Sequence, residues 1–215
     1  MEKSEVDLFL ESLSLIYLGF IVGLSGAIMP GPLFAFTVFD TTRKSKITGH
    51  YVILGHAIWE CLVILLILFG LGYIFQWSEI IFLLGGLVLV WMGLGMTRKR
   101  TESLEMEKSK VNSSLGGGLF YTAFNPTIPI WWGTAGLALL LKGSEVMGTL
   151  GVLLVAMGHW LSDFSYYTFV SFVIHRNKKY VNTKQRQMVI VLGLFVAAIG
   201  GYFVIQALGQ LVTWP

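Results

Sequence analysis

The chain has 215 residues, of which 55% are hydrophobic and only 13% charged, with a mean hydropathy of +0.73. A soluble domain carries roughly 25% charged residues, so the composition excludes an ordinary soluble protein and reads as an all-α integral membrane protein. The net charge of +3 is not a nucleic-acid signature, because the basic residues lie between apolar segments, where topology accounts for them.

The first dozen residues set Glu2, Glu5, Asp7 and Glu11 against Lys3. That is the wrong charge for the n-region of a signal peptide, so no cleaved leader is expected. The first apolar segment covers about 13–39 and is interrupted by Pro30-Gly31-Pro32. Proline inside a helix removes a backbone hydrogen bond and clashes with the preceding turn, so two half-helices are expected here. A second segment covers about 49–75 and carries Gly55-His56-Ala57-Ile58-Trp59-Glu60. The single cysteine, Cys61, follows it and rules out an internal disulfide or chemistry through a cysteine pair. The third segment, about 80–96, holds Gly85-Gly86.

The fourth segment, about 116–141, is interrupted by Asn125-Pro126 and Pro129 and continues into Trp131 and Trp132. The fifth, about 146–174, carries Gly158-His159-Trp160-Leu161-Ser162-Asp163, and the sixth, about 188–211, holds Gly200-Gly201. About 20 residues cross the hydrocarbon core, so six spans are expected, several with length to spare for tilt or breaks. Arg43, Lys44 and Lys46 lie in the 40–48 loop. Arg98, Lys99, Arg100, Lys108 and Lys110 lie in 97–115, and Arg176, Lys178, Lys179, Lys184 and Arg186 in 175–187. With six alternating spans all of these fall on one side, leaving Lys3 and Lys142 on the other. The positive-inside rule then places the basic loops in the cytoplasm and both termini outside. Trp77 and Trp214 fit an aromatic belt.

Three anchors recur in the same order in each half: a proline break, a Gly-His-x-x-x-acid stretch and a glycine pair. Three spans per half force the second copy to insert upside down, so the chain reads as a single transporter-type domain. Its two inverted repeats cover about 13–96 and 116–211. Unwound backbone at membrane depth is tolerated where it lines protein or a water-filled cavity. The half-helices beginning near Pro32 and near Pro126 have free N–H groups and positive dipole ends, which attract anions such as a substrate carboxylate.

Glu60 and Asp163 are the only acidic residues inside apolar segments, where an ionisable group costs about 3 kcal/mol or more. Positions i and i+4 share a helix face, so His56 points with Glu60 and His159 with Asp163, each pair near mid-span. These pairs have three functional readings: binding a substrate ammonium, relaying protons that drive transport, or chelating a divalent metal through His56, Glu60, His159 and Asp163. A fourth reading is interhelical hydrogen bonding alone. Trp59, Trp131, Trp132 and Trp160 lie beside these features and are candidates to line a pocket or offer a cation–π surface. His50 and His175 sit at the ends of their spans and are assigned no role. Gly19-Phe20-Ile21-Val22-Gly23 and the glycine pairs permit close helix contact, either internal or between subunits of a homo-oligomer. No nucleophile–base set, phosphate-binding loop or cofactor motif is present, which argues against an enzyme.

Met29-Pro30-Gly31-Pro32, the second span with Gly49, Gly55 and Glu60, and Asn125-Pro126 together resemble the lysine-exporter (LysE/RhtB) family of amino-acid translocators. The resemblance spans most of the chain. It implies export of amino acids or related small solutes across the cell membrane, energised by the membrane potential or by protons. The family's acid in the second span is usually aspartate, where this chain has Glu60. His56, His159 and Asp163 lie outside the pattern of the amino-acid exporters. The wider superfamily includes divalent-metal exporters, so a metal cargo is the alternative.

Overall fold

The computed structural model describes residues 4–29, 31–70, 78–98, 113–125 and 127–212. The expectations placed on Lys3, Pro30, Trp77, Pro126, Trp214 and most of the basic 97–115 segment, and the surroundings of Gly85, concern residues outside that description. Among the described residues the chain is helical, without a strand.

Helix α1, Glu5–Ala27, starts at a capping box: the Ser4 hydroxyl accepts the Asp7 N–H at 3.2 Å and the Asp7 carboxylate accepts the Ser4 N–H at 3.2 Å. Such a pair satisfies two otherwise orphaned donors. The helix stops one turn before Gly31, and α2, Pro32–Arg43, begins with Pro32 in its first turn, where a missing N–H costs nothing. Helix α3 is Thr48–Leu68 and α4 is Ser78–Arg98. Helix α5, Ser114–Ala123, is capped by the Ser113 hydroxyl, which accepts the Gly116 N–H.

Helical structure lapses at Phe124 and Asn125 and resumes as α6, Thr127–Trp131. Pro129 does not interrupt the chain a second time. It lies in the first turn of α6, where no intrahelical partner is needed. A π turn over Trp132–Gly136 leads into α7, Leu137–Arg176. Within α7, Met147 and Gly148 leave helical geometry, Gly148 at φ 57°. Positive φ is open to glycine at little steric cost. The chain doubles back there, because Gly143 lies against Gly151; in a straight helix eight residues would separate them by about 12 Å. The turn falls at the expected start of the fifth span.

Asn177 alone separates α7 from α8, Lys178–Val212. The basic 175–187 segment is thus almost wholly helical rather than a loop. It contains no glycine or proline to stop a helix, and the Asn177 side chain bonds the Val173 carbonyl at 2.8 Å while the Val181 N–H bonds the Asn177 carbonyl at 3.0 Å.

Among the described residues, four helical stretches are long and apolar enough to cross a membrane: Glu5–Ala27, Thr48–Leu68, Thr127–Arg176 and Arg186–Gly209. Val6, Phe9, Tyr17, Phe69, Trp91, Phe169 and Ile205 are largely exposed, as lipid-facing side chains must be in a bundle whose backbone groups are paired internally.

The helices meet along seams of small residues. Gly19 of α1 lies against the Val155 carbonyl of α7, and Gly158 against Ile16 and Phe20 of α1. In the same way Gly118 of α5 lies against the Val52 carbonyl of α3, and Gly55 against Leu115 and Leu119. Gly86 of α4 and Gly200 of α8 face each other, so these two glycines serve an internal contact. Gly49 brings α3 onto Tyr167 and Ser171 of α7.

A methyl group at Gly118 would collide with the Val52 carbonyl, whereas one at Gly201 meets nothing within 4 Å. Overpacking of this kind costs about 1–3 kcal/mol, and about 2–4 °C of melting temperature follows each kcal/mol at this size. Gly118→Ala is expected to lower the melting temperature of the detergent-solubilised protein by several degrees and Gly201→Ala to leave it unchanged or raise it. Equal shifts would show that the α3–α5 seam is not this close.

Candidate functional site

The two Gly-His-x-x-x-acid stretches come together. His56 and Glu60 project from α3 and His159 and Asp163 from α7, and all four side chains are buried, Glu60 at 1% exposure. His56 Nε2 lies 3.2 Å from Glu60 Oε2 and 3.5 Å from Asp163 Oδ2. His159 Nε2 lies 3.0 Å from the same Glu60 oxygen and 3.3 Å from the same Asp163 oxygen. One donor atom from each residue lies within 4.8 Å of all the others. The i, i+4 spacing makes each pair, and the crossing of α3 over α7 makes the foursome.

Glu60 is the most heavily engaged. The Trp132 indole N–H donates to its Oε1 at 2.9 Å, and the Trp160 indole N–H donates to Oε2 at 3.2 Å. Trp132 is fully buried and reaches inward because the π turn starts at this residue. Single π turns rotate side chains relative to a regular helix and recur at functional sites. Trp131 stacks on the His159 ring, with centroids 4.6 Å apart and planes at 22°. Trp59 is half-buried and does not line the central cavity. Of the four candidate aromatics, then, two serve as N–H donors to a carboxylate and one packs a histidine.

The surroundings of the two histidines differ. The Thr122 hydroxyl donates to the Gly118 carbonyl at 2.6 Å, and its oxygen lies 3.0 Å from His56 Nδ1. With the hydroxyl hydrogen so committed, His56 must donate from Nδ1, which turns Nε2 toward the carboxylates as a lone pair or a second N–H. His159 Nδ1 is buried without a hydrogen-bond partner among the described residues and sits beside Gly23 of α1. Asp163 Oδ2 is also buried without a hydrogen-bond donor, although two imidazole nitrogens lie within 3.5 Å.

The cluster forms one wall of a cavity of ≈ 50 Å³ whose other walls are the two helix breaks. Gly31, Leu33 and Phe34 line it from the start of α2, and Asn125, Thr127 and Ile128 from the α5–α6 junction. Gly31 ends α1–α2 in extended geometry and offers no side-chain cap, which leaves the first N–H groups of α2 free of a side-chain partner at this cap. The second break is capped internally: Asn125 Oδ1 accepts the Thr127 N–H at 3.2 Å and its hydroxyl at 2.9 Å. Of the proposed anion-binding residues, Gly31 and Asn125 reach the cavity, Pro32 is buried at the helix start, and Pro30 and Pro126 lie outside the described residues. His50 lies 3.4 Å from the Thr168 hydroxyl, away from the cluster.

The sequence reading did not single out Thr122 or Tyr167. Thr122 follows Gly118 by one turn and precedes the break by three residues, a signal that gains meaning only once α5 is known to face α3.

A family model described as LysE type translocator matches residues 24–207, a stretch that includes both helix breaks and the whole cluster. No curated protein and no solved structure matches the chain.

Trp132→Phe keeps the ring but removes a hydrogen bond to a buried carboxylate, a loss of about 1.5–3 kcal/mol. The variant is expected to melt several degrees below wild type, and Trp160→Phe, with its longer bond and half-buried ring, less so. A Trp132→Phe protein as stable as wild type would show that the indole does not hold Glu60.

Proposed function

The chain belongs to the LysE type translocator family and is a multi-pass membrane transporter; from that premise we propose that it is a secondary-active exporter of amino acids or related small solutes. Its work is done at one central site, where Glu60 and Asp163 receive positive charge, either a substrate ammonium or a proton. His56 and His159 set the shape and charge of that site. The first turn of α2, at Gly31 and Pro32, faces the same cavity and takes the cargo's negative group. The observation that carries this reading is the convergence of the two His-x-x-x-acid pairs beside both helix breaks.

The proposed architecture is six spans in two inverted repeats, about 13–96 and 116–211. It is supported by a correspondence between seams. Gly158 meets Ile16 and Phe20 as Gly55 meets Leu115 and Leu119, and Gly19 meets Val155 as Gly118 meets Val52. Exchanging the halves carries the α1–α7 seam onto the α5–α3 seam and the α4–α8 seam onto itself. Alternating access then comes from the α1–α7 pair, one span from each repeat, rocking against the α3–α5 pair around the central site. With the basic segments in the cytoplasm and both termini outside the inner membrane, cargo enters past Phe34. That ring lines both the central cavity and a groove of ≈ 450 Å³ bordered by Tyr180, Lys184 and Met188.

Counterflow in proteoliposomes preloaded with a mixed pool of amino acids and divalent metals tests the reading. Wild type is expected to exchange at least one member of the pool. Glu60→Gln and Asp163→Asn are each expected to cut that flux at least about tenfold, since a buried charge partner costs several kcal/mol when removed. Unchanged flux and pH dependence in both variants would overturn the site.

A further inference from the structure

Resting on the reading of the cluster as the transport site but replacing the organic cargo proposed for it, we infer that the cation it receives is a divalent transition-metal ion of the zinc class, held by His56, Glu60, His159 and Asp163 and carried as cargo. Zinc bound by nitrogen and oxygen prefers four ligands in a tetrahedron with bonds of about 2.0–2.1 Å, which sets ligand atoms about 3.3–3.4 Å apart. The four histidine-to-carboxylate separations are 3.0, 3.2, 3.3 and 3.5 Å. Four of the six ligand-to-ligand separations therefore match the edges of such a site, and one ligand atom from each residue lies within 4.8 Å of the others.

A second observation is independent of that spacing. Asp163 Oδ2 is buried, aims at both imidazole Nε2 atoms and has no hydrogen-bond donor among the described residues. A cation at the centre of the four atoms supplies what that oxygen lacks. Two carboxylates and a divalent ion also sum to zero charge, which a low-dielectric site favours.

At two of the four residues the surroundings match those of metal-bound ligands, whose outer atoms are themselves hydrogen-bonded, whereas His159 Nδ1 has no such partner among the described residues. His56 donates from Nδ1 to Thr122, which turns Nε2 inward as a ligand, and Glu60 is oriented by Trp132. The ≈ 50 Å³ cavity accommodates an ion and a few waters at about 10–15 Å³ of such volume each. Pockets for organic ligands run to about 300–1,000 Å³.

The test uses the full chain, purified in detergent and stripped with a chelator, then titrated with Zn²⁺ or Co²⁺. The expected result is one ion per chain, intense visible absorption of tetrahedral Co²⁺, and no competition from Mg²⁺ or Ca²⁺. His159→Gln is expected to weaken binding about 100-fold or more, and Thr122→Val, which keeps all four ligands, about 10–100-fold. Sealed vesicles are expected to exchange radioactive zinc. If His159→Gln fails to fold, the wild-type cobalt spectrum and Thr122→Val decide the matter.

Absence of stoichiometric binding, an octahedral cobalt spectrum, or binding indifferent to both variants overturns the inference. Binding without zinc flux overturns the assignment of the metal as cargo. Amino-acid flux that needs Glu60 and Asp163 in a protein that binds no metal overturns this inference and leaves the cation-site reading standing. Metal binding with flux indifferent to Glu60→Gln overturns the transport reading instead.

Discussion

The Glu60 carboxylate accepts indole N–H groups from Trp132 and Trp160 and lies within 3.2 Å of both cluster histidines. A carboxylate with 1% exposure is tolerated in a membrane protein only if charge and hydrogen bonds replace the lost water. Meeting that demand draws donors from α3, from the π turn before α7, and from the returning half of α7. The π turn turns Trp132 inward, the reversal at Gly148 brings the chain back past the site, and Gly49 lets α3 and α7 approach. Remove the carboxylate and these features lose their common reason.

Much of this centre was legible from spacing alone. His56 with Glu60, and His159 with Asp163, follow from 3.6 residues per turn, and their rarity in apolar segments marks them out. What spacing cannot provide is which helix faces which. Thr122 as the partner of His56, and Trp132 and Trp160 as donors rather than cation–π faces, depend on α5 and the α6–α7 junction packing against α3 and α7. Local signals also misled at two points. Pro129 reads as a breaker but is harmless in a first turn, and a run of charge after Arg176 reads as a loop although nothing in it opposes a helix. The glycines were visible as permission for close contact, yet only the fold shows that Gly86 spends it on Gly200.

Under the proposed repeat, the differences between the two halves carry information. Thr122 follows Gly118 by four residues, and Gly23 follows Gly19 by four, so the two positions correspond across the matching seams. At the first, a hydroxyl anchors His56 through Nδ1; at the second there is no side chain, and His159 is held by stacking on Trp131 and by the 3.0 Å hydrogen bond between Nε2 and Glu60. The outer ring nitrogen is therefore anchored at His56 and without a hydrogen-bond partner among the described residues at His159.

The seams also bear on how a transport cycle would run. The seams tie α1 to the returning half of α7 and α5 to α3 through backbone-to-backbone contacts at glycine, which resist separation because interiors are close-packed. The cluster straddles these two pairs: α3 contributes His56 and Glu60, and α7 contributes His159 and Asp163. On the proposed cycle, rocking one pair against the other pulls the cluster apart across the cation and works against the Gly49 contact with Tyr167 and Ser171. Two buried carboxylates repel when no positive charge lies between them, so on the proposed reading a bound cation favours the closed arrangement. Its differential affinity for closed and open states would then be what shifts the equilibrium.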